Sequence, residues 1–239
     1  MIWTTSAAPP SRGFEKVWRY IDLFEQGIIC TVSLSFLTVF FGFIIALFLA
    51  LCRLSSVKPL RVLAAVYVEF FRATPLLVQI FLVYYVLFAN VSVPDFKLFG
   101  YIRFDRFLPG VVALSLNSGA YTCEIIRAGI QSIDGGQTEA ARSLGLTQVQ
   151  NMRFVILPQA IKNILPAIGN EFVTIIKESS ICYTIGVQEI MYAVAATKGA
   201  VYIIAEPLII ATVMYFCLTF PTSKIIAYFE RRMSRGDKR

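Results

Sequence analysis

Charged and amide side chains stand inside long apolar stretches of this sequence, and these residues have chemistry to offer. Glu171, Lys177 and Glu178 fall within one apolar block, Asn117 within another, and Arg72, Thr74 and Gln79 lie beside Pro75 in a third. Glu171 and Glu178 are seven residues apart, so on a helix they share a face with Thr174 between them. Charge at membrane depth is costly enough that such residues face a bundle interior or a water-filled path. At about 1.5 Å per residue, counting inward from Pro166 puts Lys177 roughly 16 Å deep, and counting from Pro109 puts Asn117 about 12 Å deep, near the middle of a ~30 Å core. Pro75 removes a helix hydrogen bond and frees a carbonyl at depth. A cavity lined by both signs suits a zwitterion, whose carboxylate and ammonium each need a partner once stripped of water. The residues on such a path are Leu76, Gln79, Asn117, Tyr121, Glu171, Thr174 and Glu178. The alternative is structural: Glu69 pairs with Arg72 and Glu124 with Arg127 at i, i+3, Lys177 is neutralised by a neighbouring carboxylate, and Tyr121 packs. The negative lining points to a basic or neutral cargo, but Lys177 and Arg72 blur that inference.

Other chemistry is excluded by composition. The chain has no histidine, the commonest general base and transition-metal ligand. Cys30, Cys52, Cys123, Cys182 and Cys217 are scattered singly through apolar segments and read as small buried hydrophobes. No catalytic residue and no metal ligand is assigned, and an intramembrane enzyme is the weakest reading.

The elements that must position the polar residues are membrane helices. Of 239 residues 57% are hydrophobic and 15% charged, against roughly 45–50% and 25% in a soluble domain. The apolar residues form five blocks of bilayer-crossing length, about 23–52, 60–89, 109–129, 164–190 and 205–229. Ahead of them, Phe14, Val17, Trp18 and Ile21 at i, i+3, i+4, i+7 spacing among Arg12, Lys16 and Arg19 predict a short amphipathic interfacial helix. The net charge of +7 orients loops rather than marking a nucleic-acid partner. Arg53, Lys58 and Arg61 after the first block, and Arg231, Arg232, Arg235, Lys238 and Arg239 at the end, place those flanks in the cytoplasm and the N-terminus outside. The outer loop 90–108 mixes Phe96, Phe99, Tyr101, Phe104 and Phe107 with charges, as interfacial anchors do. No internal repeat is present, so two copies are needed to enclose a path.

Between the third and fourth blocks, the residues from Asp134 to Pro158 hold two successive helix starts and stops. Asp134 caps a helix with Gln137 at N3, the helix runs through Glu139-Ala140-Ala141-Arg142-Ser143-Leu144, and Gly145 ends it in a left-handed C-cap. Thr147 then caps a second helix with Gln150, and Pro158 bounds that one. Isolated helices this short are marginal in water and need a surface to dock on. Leu144, Leu146, Val149, Met152 and Phe154 offer anchors for a partner's groove; the alternative is a hairpin lying on the protein's own cytoplasmic face.

Here the sequence resembles a known family. Glu139-Ala140-Ala141, then Gly145, nine residues, and Val155-Ile156-Leu157-Pro158 is similar to the EAA loop of bacterial ABC importer permeases, EAA-x3-G-x9-I-x-L-P, with Val155 in place of the usual Ile. The segments 124–130 and 158–166, Phe71-Arg72-Ala73-Thr74-Pro75-Leu76-Leu77-Val78-Gln79, and Phe229-Glu230-Arg231-Arg232 resemble the polar amino acid subgroup, and the likeness runs over roughly 22–235. It implies an all-α integral membrane protein of five transmembrane helices, with a cytoplasmic coupling helix between the third and fourth and the short amphipathic helix in front. In residues, 1–21 form an extracytoplasmic amphipathic segment, 22–230 the transmembrane domain with its EAA loop at 134–160, and 231–239 a basic cytoplasmic tail. The resemblance implies a multi-pass permease of the bacterial cytoplasmic membrane that moves a polar amino acid. Its coupling residues are Glu139, Ala140, Ala141, Arg142, Leu144, Gly145 and Leu146. Its partners are a dimer of ATPase subunits, a second permease copy, identical or paralogous, and an extracytoplasmic amino acid-binding protein. ATP and Mg belong to the ATPase: this chain holds no cofactor and has no G-x-x-x-x-G-K-[ST] phosphate cradle. A stand-alone channel or ion-coupled secondary carrier is the alternative, and it leaves the capped elbow without a task.

Overall fold

The computed structural model describes residues 10–234; the N-terminal residues before Pro10 and the tail basics Arg235, Lys238 and Arg239 lie outside the described residues. Helix α1 (Pro10–Trp18) leads into α2 (Ile21–Leu54), followed by α3 (Lys58–Ala73) and α4 (Leu76–Leu82), which continues as a π turn over Val83–Leu87. A hairpin of β1 (Lys97–Leu98) and β2 (Ile102–Arg103) precedes α5 (Phe104–Gln131), and α6 (Gly135–Ser143) and α7 (Gln148–Asn151) form the elbow. A π turn (Met152–Ile156), α8 (Leu157–Glu178), a 3-10 segment (Ser179–Ile185), α9 (Ile190–Val201) and α10 (Ala205–Ser234) complete the chain.

Among the described residues α2 and α10 are long and apolar enough to cross a membrane, and α3 with α4, bent by 112°, makes a third crossing if taken as one broken span. The packing favours that reading. Ala64 and Val68 of α3 pack on Ala46 and Ala50 of α2 and on Ala120 and Ile126 of α5, at the elbow end. Ile80 and Val83 belong to the core cluster of Phe107 and Val111, at the far end of α5. The half-helices therefore meet α5 at two successive levels, on either side of a sharp bend. The sequence predicts a single helix over 60–89; Thr74, forced to extended backbone (φ −109, ψ 148) by the proline after it, breaks it.

Helix α5, 28 residues long, is central. Its Ser115, Asn117, Ser118 and Thr122 are buried among neighbouring helices, so its polar groups meet protein and not lipid. Glycine allows the close approach to α2: a Cβ on Gly119 would stand 2.6 Å from Ile45 Cγ2. Gly129 abuts Ile164 of α8 in the same way. Outward, α2 exposes Phe36, Phe40 and Phe48 and α10 exposes Val213 and Phe216, an apolar belt that only lipid or another membrane chain can cover.

Helix α1 carries Phe14, Val17 and Trp18 of the predicted helix but ends at Trp18, so that Ile21 opens α2; Val17 is fully buried against α9 and α10 and Trp18 exposed. Among the described residues the small hairpin, turned by Phe99 and Gly100 at positive φ, departs from the all-α expectation, and the expected span 164–190 divides, with α8 ending at Glu178 and a 3-10 segment leading to α9. Next to it Asp105 accepts from Arg103 Nε at 3.1 Å, and that bond and its charge hold the guanidinium above its ordinary pKa.

Candidate functional site

The elbow is built by local hydrogen bonding. Asp134 Oδ1 accepts from Gly136 N–H at 2.7 Å and starts α6, but Gln137 does not complete a capping box; its side-chain oxygen accepts from Gln159 instead. The corner is a Schellman motif: Gly145 at φ +81, with Leu146 N–H donating to Ala141 carbonyl at 3.0 Å and Gly145 N–H to Arg142 carbonyl at 2.9 Å. Thr147 and Gln150 form the full capping box at the head of α7. That second arm does not stop at Pro158. It passes through the π turn into α8, and Pro158 sits in the first turn of α8, where its missing N–H is tolerated.

The two arms touch each other through buried Ala141 and through Asn151 Nδ2, which donates to Thr138 Oγ1 at 3.3 Å. Everything else at the corner faces outward. Glu139, Ala140, Arg142 and Gly145 are exposed and Leu146 half-buried. Leu144 is 83% exposed, Val149 76% and Phe154 63%, an apolar rim that the chain leaves uncovered. Water is a poor partner for such a rim; a groove is a good one.

In the membrane the structure joins the polar residues in two pairs on adjacent residues of α5. Gln79 fills the break before α4: its Nε2 lies 2.8 Å from Phe71 O, 3.0 Å from Thr74 O and 2.7 Å from Thr74 Oγ1, while its Oε1 accepts from Asn117 Nδ2 at 2.8 Å. The carbonyls freed by Pro75 are thus satisfied by protein. Beside Asn117, Ser118 donates to Glu171 Oε1 at 3.2 Å. This pairing sets the level of Glu171 at the middle of α5. Lys177 lies about 9 Å further toward the far end, off the mid-level that counting from Pro166 predicts.

The remaining pathway residues are not brought to this belt. Thr174 donates to the carbonyl of Asn170 in its own helix, Leu76 is packed on the far-end core, and Glu178 is half-buried. Lys177 faces a cleft of about 570 Å³ with Leu77, Tyr183, Thr184 and Tyr215 between α4, α8, α9 and α10. Tyr121 is 39% exposed, with the Arg72 guanidinium 5.8 Å from its ring centre.

Two centres escape sequence reasoning. Glu124 pairs with Arg127 as expected, and also with Arg53 of α2 at 3.0 Å and with Arg72 of α3 at 4.0 Å, so Arg72 reaches Glu124 and not Glu69. Glu189, fully buried, accepts from Met191 N–H at 2.9 Å, Tyr192 N–H at 2.8 Å and Tyr215 O–H at 2.6 Å, capping α9 and tying it to α10. An acidic residue directly before an apolar run is the local signal for that cap; Tyr215 has none.

The chain is similar to known membrane transport proteins over most of its length. Residues 28–235 match the model of the binding-protein-dependent transport system inner membrane component family. The arginine transport system permease protein ArtQ of Bacillus subtilis (strain 168) is 41% identical over 94% of this chain and 98% of its own length. The nopaline transport system permease protein NocM of Agrobacterium fabrum is 39% identical over 84% of this chain and 83% of its own. A crystal structure of an amino acid ABC transporter with histidines has a chain 46% identical, with a TM-score of 0.82 over 90% of this chain and 95% of that one. The MetNI methionine ABC transporter, 18% identical, shares the fold with a TM-score of 0.72 over 89% of this chain and 97% of its own. An outward-facing elbow on a helical membrane bundle, matched over nearly its full length, leaves one conclusion: the chain belongs to the inner membrane components of binding-protein-dependent transport systems and is a permease of the polar amino acid ABC importer type.

Proposed function

We propose that this chain is one of two permease copies enclosing the path by which a polar amino acid enters the cell, opened and closed by a separate pair of ATPase subunits that hold ATP and Mg. The observation that carries this reading is the elbow, whose Leu144, Val149 and Phe154 stay exposed on a corner fixed by its own caps. The crossings are α2, α3 with α4, α5, α8 and α10, an odd number, so the N-terminal helix lies outside and α10 ends in the cytoplasm beside the elbow. At the far end, the hairpin and the loop around α9 receive the amino acid-binding protein. Gln79, Asn117 and Glu171 at mid-level form the polar belt the cargo passes, and Leu76, Tyr121, Thr174 and Glu178 line its approaches.

Co-purification with the partner ATPase tests this. Leu144→Asp changes an exposed residue, so the bundle folds as before while a charge enters the joint. Complex recovery and cargo-stimulated ATP hydrolysis fall at least tenfold, about 1.4 kcal/mol of binding. Recovery and coupling equal to those of the native chain would overturn the docking role.

A further inference from the structure

We propose that the pocket between the end of α2, the first turns of α3 and the end of α5 holds the headgroup of an anionic phospholipid, its phosphodiester among the guanidinium groups of Arg53, Arg61 and Arg127. The pocket has a volume of about 300 Å³, and all three arginines line it. Its walls are otherwise mostly apolar, including Ala50, Ala65, Ile126 and Ile130, with Gln131 at one side accepting from Arg127 Nη1. The charge is unbalanced. A single carboxylate, Glu124, serves Arg53, Arg72 and Arg127, and Arg61 has no ion-pair partner among the described residues.

Three cations in a largely apolar pocket, two of them sharing one carboxylate, attract a further anion, and the apolar walls favour one that carries hydrocarbon. The position agrees. Arg53 closes the 34-residue α2, and the surface around the mouth exposes Leu51, Leu54 and Leu63, where acyl chains would lie. A soluble anion would satisfy the arginines but leave that surface uncovered. The proposal rests on α2 crossing the bilayer, not on the elbow or on transport, so it stands or falls apart from the ATPase-docking test.

Native mass spectrometry of the full-length chain, released from neutral detergent after titration with phosphatidylglycerol or phosphatidylcholine, reads the binding. One phosphatidylglycerol is retained per chain and phosphatidylcholine is lost. Arg61→Gln weakens retention about fivefold, the contribution of one cation near the headgroup plane. Ala65→Trp fills the pocket at constant charge and abolishes retention, while Arg231→Gln, basic but outside the pocket, leaves it intact. Should Ala65→Trp fail to fold, the exposed, unpaired Arg61 still decides the matter. Equal retention of the two lipids, indifference to both pocket variants, or displacement by inorganic phosphate or an acidic peptide as readily as by lipid would each overturn the proposal.

Discussion

Gly145 turns the elbow at φ +81, and a Cβ built there would meet nothing within 4 Å. The demand on this residue is therefore purely conformational: a side chain has room but not the backbone angle, and the left-handed region costs an L-residue roughly 1–2 kcal/mol. The Schellman bonds from Gly145 and Leu146 depend on that angle. Gly145→Ala should thus loosen the corner without touching the bundle. In a reconstituted complex, cargo-stimulated ATP hydrolysis drops several-fold while the thermal midpoint of the isolated chain stays put. Gly145→Asn, which tolerates the left-handed region, restores most of the loss. If alanine and asparagine behave alike, the corner's geometry is not what the partner reads.

Between α3 and α4 a broken crossing is held by one amide. Gln79 supplies the donor that the carbonyls of Phe71 and Thr74 lack and the acceptor that Asn117 needs. Gln79→Leu keeps the volume and strands several buried polar groups, each costing about 1–3 kcal/mol. A loss of about 2 kcal/mol lowers the melting midpoint of a chain this size by about 4–8 °C, readable by a thermal shift assay in detergent. Thr174→Val, whose hydroxyl bonds only its own helix, serves as the matched control and moves the midpoint far less. Equal shifts would mean that the break does not depend on Gln79. The elbow and the break also mark what the sequence discloses. Caps at Thr147 and Gly145 are set by residues within five positions of each other, so the corner is legible before any fold is known. Pro75 announces a break, but its 112° angle and the residue that heals it depend on what α5 presents. Glu124 illustrates the limit: its i+3 partner Arg127 is local, whereas Arg53 and Arg72 arrive from other helices. Spacing along one helix cannot disclose them.

The assembled molecule has two unlike ends, and its direction in the membrane decides what each end does. One end gathers the elbow, the three arginines around Glu124, and Arg231 and Arg232 at the close of α10. The other carries α1, the hairpin and α9, where Val17 and Phe24 pack with Ile190 and Ala211. Basic residues favour the cytoplasmic side, but the far end also carries Lys97, Arg103 and Arg106, so charge alone is a modest argument. The stronger one is chemical: an elbow that grips an ATP-driven motor must lie where ATP is. In a cysteine-free version of the full chain, a single cysteine replaces Ser143 on the elbow or Ser92 in the loop after α4, both exposed positions. A membrane-impermeant maleimide added to intact cells labels the Ser92→Cys chain and spares the Ser143→Cys chain; in inverted vesicles the pattern reverses. Labelling of the elbow from outside intact cells would put the joint on the wrong side of the membrane for any ATPase, and the importer mechanism would fail with it, however well the fold matches.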